Sequence, residues 1–170
     1  MENQNLNFDF VFLGQSVLKY QVPLDIFTAI NQIYEQNFHN LEPANSQLVG
    51  KIENEHSLFY HGADQTKMKN HNMLPKNVTN YFMTIFQHYL KWNKIKDYNT
   101  HLNSIWVNEM KQHEYNPAHV HRGMLYTGLS SVMILKVPST YGKEYSAGHI
   151  PQNGRLQILG ASNGQFAKID

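Results

Sequence analysis

Apolar positions repeat every three to four residues through 24–34 and 78–90, and the period changes to two from residue 102. The opening runs, residues 8–13 and 17–22, are parted by Gly14-Gln15-Ser16 and predict two short strands around a turn. Pro23 suits a first helical turn, because its φ is already fixed near the helical value and its missing N–H is not needed there. Leu24, Phe27, Ile30, Ile33 and Tyr34 then make one face of a helix that should pack against a sheet. Residues 37–72 are mixed and polar and read as loop with short elements, leaving the apolar patch Leu58-Phe59-Tyr60 ambiguous. The clearest helix follows: Val78, Tyr81, Phe82, Ile85, Phe86, Tyr89 and Leu90 form a wide apolar stripe opposite Asn80, Thr84, Gln87 and Lys91, with Asn77 as its expected cap.

From residue 102 the alternation puts Leu102, Ser104, Trp106, Asn108 and Met110 on one side of a strand and Ile105 and Val107 on the other. A further strand should carry His119 and His121. The apolar run over residues 129–137, closed by Pro138, reads as a strand buried on both faces. Residues 142–154 look like a long connection, followed by Leu156-Gln157-Ile158-Leu159 and, after the Ser162-Asn163-Gly164 turn, a last strand over 165–169. Helices first and strands afterwards predict an α+β fold with an antiparallel sheet system. Length supports one domain over residues 1–170, with strands and helices in 1–100 and the main strands in 101–170.

Composition narrows the chemistry. The formal net charge is +1, with no basic run or acidic tail, so neither nucleic acid nor an anionic membrane is an expected partner. The longest apolar run is too short to span a bilayer and the polar start lacks the pattern of a signal peptide, which predicts a cytoplasmic protein. The chain has no cysteine, which excludes a disulfide framework, a thiolate zinc site, an iron–sulfur cluster and a cysteine nucleophile. Phosphate loop, nucleophile elbow, His-Glu-x-x-His and Rossmann glycine patterns are absent, which disfavours kinases, hydrolases and nucleotide-binding dehydrogenases.

Ten histidines in 170 residues invite a search for a metal site built from imidazole and carboxylate, although pH sensing or plain surface usage would also account for them. Residues two apart on a strand face the same way, so His119 and His121 would present both rings to one point. Such a pair suits several divalent ions, and the spacing does not choose among them. A His-x-His also arises readily by chance in so His-rich a chain, and two surface or hydrogen-bonded histidines are the competing reading. His61, His71, His88 and His113 are read as structural or solvated, and Tyr81, Phe82, Phe86 and Tyr89 as core.

Three blocks in one order, Ile105-Trp106-Val107-Asn108, then Asn116-Pro117-Ala118-His119-Val120-His121, then Gly128-Leu129-Ser130-Ser131-Val132 running on to Pro138, resemble a family of 2-oxoglutarate- and iron(II)-dependent oxygenases of marine bacteria and their phages. The likeness continues more weakly from Gly154 to Asp170, while residues 1–100 match only in placing helices before strands. The resemblance implies a double-stranded β-helix, a jelly-roll of two facing antiparallel sheets buttressed by the N-terminal helices. It implies Fe(II) and 2-oxoglutarate as cofactors and hydroxylation of a small-molecule or peptidyl substrate. His119 matches the first metal ligand. His121 stands where the wider superfamily has an acidic ligand, and either binds directly or supports the site from behind.

Asn108, Tyr126 and Ser131 flank the histidine segment and are candidate contacts to cosubstrate or substrate, against the simpler reading of satisfied polar groups on strands. Lys136 is a candidate cation, against the default of an exposed lysine at a strand end. The family pattern also includes a later strand bearing a distal His and then a basic residue. Downstream of His121 this chain offers only His149, in the long connection, so the chain reads as a truncated form with C-terminal strands missing. Open sheet edges then predict a homodimer by strand exchange. Two alternatives stand beside the oxygenase: a cupin-like three-histidine metalloprotein without 2-oxoglutarate, and a non-enzymatic jelly-roll binding or assembly module.

Overall fold

The computed structural model describes residues 6–12, 16–45, 48–61, 73–117, 119, 128–139, 154–156 and 158. Among these residues the architecture is α+β, with two helices and two small two-stranded antiparallel sheets. The chain divides into two compact units, Val22–Leu129 and the pair of segments Met1–Gln21 and Ser130–Asp170. No described helix is long and apolar enough to cross a membrane.

In the second of these units β1 (Phe8–Phe12) pairs antiparallel with β2 (Ser16–Tyr20), from Phe8 opposite Tyr20 to Phe12 opposite Ser16. The sequence predicted this hairpin. Its open end is tied by the Gln21 N–H donating to the Asn7 carbonyl at 3.0 Å, by the Asn7 side-chain amide donating to Gln21 Oε1 at 2.7 Å, and by the Phe8 and Tyr20 rings, 5.9 Å apart. Residues 130–138 depart from expectation. They form no strand with any described residue, and Val132 (64 % exposed), Ile134 and Val137 face solvent while Met133 and Leu135 are half-buried. A run of apolar residues records what a segment would gain by burial, and only a second covering layer would bury both its sides.

The unit Val22–Leu129 holds the core. Helix α1 (Leu24–Asn37) starts at Pro23, whose carbonyl accepts from the Phe27 N–H at 3.0 Å, and buries Ile26 and Ile30. Leu24 was expected on this buried face but is 77 % exposed, so the buried stripe is rotated toward Ile26. A single 3-10 turn, Phe38–Asn40, follows. Helix α2 (Lys76–Trp92) is in contact with α1 and buries Val78, Tyr81, Phe82, Ile85 and Leu90, the stripe its period predicted. Its cap is Pro75 instead of Asn77, with Pro75 O accepting from the Val78 N–H at 3.0 Å; proline pre-sets the entry backbone without any side-chain bond. At the other end Lys94 takes a left-handed φ of 57° while the Ile95 and Lys94 N–H groups donate to the Leu90 and Lys91 carbonyls, both at 3.0 Å, which closes the last turn in a Schellman arrangement.

Strand β3 (Asn54–Tyr60) pairs antiparallel with β4 (Ser104–Glu109). The register shifts between Ser57 and Phe59, so Leu58 is an extra residue, a β-bulge, and its side chain is fully buried beside the buried Ser57. Along the other margin of β3, Ser57 N–H donates to the Glu42 carbonyl (2.9 Å) and Ala44 N–H to the Glu55 carbonyl (2.8 Å). Pro43, bridged to His56, sits at that margin, where the missing N–H costs nothing.

Candidate functional site

His119 lies just past a loop held by four backbone and side-chain ties to Lys51 and Glu53, which lead into β3. After β4 the chain loops out over residues 110–114, with His113 at φ 68°, and returns to bridge Lys51 through Tyr115: Lys51 N–H to Tyr115 O at 2.9 Å and Tyr115 N–H to Lys51 O at 3.1 Å. The Glu114 carboxylate closes the loop, accepting from the Lys111 N–H at 2.7 Å and the Glu53 N–H at 2.9 Å. These amides hold its carboxyl below the ordinary carboxylate range, with Lys111 and Lys51 adding to the effect. An ion pair, Lys111 Nζ to Glu53 Oε2 at 3.2 Å, spans the same loop but is exposed and contributes little. Gly50 packs directly on the backbone of Tyr115 and Asn116 and on Pro117 Cδ, leaving no room for a Cβ.

Beyond this strap the His119 Nδ1 lies 2.7 Å from the Pro117 carbonyl oxygen. A carbonyl only accepts, so the ring proton sits on Nδ1 and the lone pair of the neutral imidazole is on Nε2. His119 is exposed and lies outside the described strands, whereas a strand was expected to carry it. His121 and Tyr126 lie outside the described residues, as does His149. Asn108 is on β4, exposed, opposite Glu55. Ser131 and Lys136, both exposed, belong to the unit that contains the β1–β2 hairpin, whereas Asn108 and His119 belong to the other. No group of three or more His, Asp or Glu side chains able to hold a metal ion occurs among the described residues. His119, held through Nδ1, would ligate through Nε2.

A second set of polar groups, unforeseen in the sequence, gathers on β3–β4 and α1. His56 stacks edge-on with Phe38 at 4.7 Å and lies 6.1 Å from the Tyr34 ring. The Tyr34 hydroxyl and His56 Nδ1 are buried with no described hydrogen-bond partner. Burial, and after it the nearby Glu109 carboxylate, pushes the Tyr34 phenol up to about 12; the two groups interact without closing a hydrogen bond of good geometry. Burial lowers His56, partly offset by Glu109, whose Oε2 accepts from the Asn54 amide at 3.0 Å. At neutral pH this is an uncharged imidazole and an un-ionised phenol beside a carboxylate.

Glu55 is buried on the same strand, one oxygen lacks a described partner, and desolvation raises its carboxyl above the ordinary 4.5. The native chain therefore holds that proton more tightly than the unfolded chain, and stability falls as pH rises from 4.5 through the raised value. Glu55→Gln is expected to remove this fall and to raise the urea midpoint at pH 7. Comparing the variant with the parent across pH isolates Glu55 from the other carboxylates, and superimposable profiles would refute a buried, proton-holding Glu55. No protein-family model, curated protein or solved structure matches the chain.

Proposed function

We propose that the chain is an Fe(II)- and 2-oxoglutarate-dependent oxygenase of jelly-roll type in which His119 is a metal ligand. The observation that supports this most is the 2.7 Å contact between His119 Nδ1 and the Pro117 carbonyl, because ligating histidines are commonly oriented by a donation from the second ring nitrogen. The contact falls inside the Asn-Pro-x-His-x-His segment that carries the family resemblance. His121 would add the second imidazole, and Asn108, Tyr126 and Ser131 are the proposed contacts to cosubstrate or substrate. Iron with 2-oxoglutarate supplies the oxidising chemistry for hydroxylating a C–H bond of a small-molecule or peptidyl substrate. The chain's own residues do the positioning. Glu114 and Gly50 fix the strap, and Pro117 O fixes the ring, so His119 is oriented before any ion arrives. Closure of strands into a jelly-roll belongs to the same proposal.

Calorimetric titration with Mn(II), repeated with 2-oxoglutarate, tests it. Expected are one ion per chain, tightening on addition of 2-oxoglutarate, and affinity at least about 100-fold weaker in His119→Ala, which loses a ligand where loss of a mere supporting group costs 10–100-fold. Metal binding indifferent to 2-oxoglutarate would overturn the oxygenase in favour of the cupin-like protein. Full affinity in His119→Ala would remove His119 from the site. The exposed apolar side chains of Val132, Ile134 and Val137 favour one other reading, a non-enzymatic assembly module, for which no ion binds at this site.

A further inference from the structure

The β3–β4 sheet ends in two histidines that the proposed function does not use. His61 follows β3 directly, and its N–H donates to the Asn103 carbonyl at 2.6 Å, one step beyond the Tyr60–Ser104 pair. The ladder thus runs on to His61 opposite Asn103, and His101, two residues further, takes the diagonal place on the same face. Both residues are exposed, and their rings lie 5.2 Å apart, tilted by 42°.

That separation has a specific meaning for a shared ion. With metal–nitrogen bonds of about 2.0–2.1 Å the ion lies about 3.2 Å from each ring centre, so two imidazoles meeting it at angles from square to tetrahedral have centres about 4.5–5.2 Å apart. At 42° the rings are neither parallel nor edge-to-face, the two arrangements that ring packing favours at this distance. We propose that His61 and His101, brought together across the open end of the β3–β4 ladder, form a two-imidazole site for Ni(II), Cu(II) or Zn(II), with water completing the coordination. Nitrogen donors select these ions over Mg(II) and Ca(II), which take oxygen ligands. Both rings are exposed, as in a surface clasp, and no third His, Asp or Glu joins the pair among the described residues. A bound ion joins the end of β3 to the segment entering β4 and stabilises the native state by an amount that grows with the logarithm of ion concentration once the site fills.

The test uses the full chain in a His119→Ala/His121→Ala background, so that failure of the oxygenase reading leaves this site untouched. Ni(II) is titrated calorimetrically at pH 7.5, and the Tm is read with and without the ion. Expected is binding of one Ni(II) with an upward Tm shift. His61→Gln and His101→Gln should each weaken affinity at least about 10-fold and abolish the shift, and the double variant should lose less than the sum of the two single losses, because either substitution alone already breaks the shared chelate. Retention of parental affinity by either single variant, or absence of Ni(II) binding, would overturn the proposal. Both side chains are exposed, so the substitutions leave the core intact.

Discussion

Leu58→Ala is expected to lower the unfolding free energy by about 3 kcal/mol, in the middle of the ~2–5 kcal/mol typical for emptying a buried leucine site. Leu58 is the bulged residue of β3 and, among the described residues, one of two large side chains with essentially no solvent contact, the other being Val78 of α2. The loss has two parts, the transfer free energy of the removed methyl groups and a cavity that close-packed neighbours refill incompletely. A bulged strand is also pinned in register by its extra residue, so the strand has little freedom to slide and fill the gap. Urea denaturation measures the effect, with Leu24→Ala as the control: Leu24 is 77 % exposed and its truncation should stay within about 0.5 kcal/mol of the parent. Equal midpoints for the two variants would remove Leu58 from the core.

Gly50→Ala should be the most damaging small substitution near His119. A Cβ there would fall on the Tyr115 carbonyl oxygen, the Asn116 Cα and the Pro117 Cδ. Two of these are backbone atoms and the third a fixed ring, so no side chain rotates out of the way, and the strap itself has to lift from Lys51. Overpacking of this kind costs about 1–3 kcal/mol. Its signature is local: the reciprocal Lys51 and Tyr115 amides should lose hydrogen-exchange protection while the amides of α2 keep theirs. If His119 binds metal, Mn(II) affinity should drop about 10-fold in the same variant, the size expected for disturbing a ligand's support. Unchanged exchange at Lys51 and Tyr115 would show that Gly50 does not hold the strap.

The elements written in the sequence were those whose periodicity is unbroken. Helix α2 was legible because its apolar stripe runs without interruption from Val78 to Leu90, and the β1–β2 pair because Gly14-Gln15-Ser16 separates two apolar runs in the sequence. Strand β3 was not legible. Its bulge breaks the two-residue alternation at Leu58, and two of its buried residues, Glu55 and Ser57, are polar. The exposed run at 130–138 misled in the opposite way, since apolar character alone does not say whether a second layer covers it. Of the candidate site, His119 was visible as part of a His-x-His, but what orients it was not. Gly50, Glu53 and Lys51 reach the strap from some sixty residues away, and such long-range ties leave no local pattern. The Tyr34–His56–Glu109 group stayed hidden for the same reason, being assembled from α1, β3 and β4.

Pro43 gives the β3–β4 sheet a direction of growth. An incoming strand needs a continuous row of N–H donors to copy, and at the margin beside β3 that row is interrupted by a residue that has none. Intermolecular extension of the β3–β4 sheet is thereby disfavoured on the β3 side, where Pro43 stands in place of a donor.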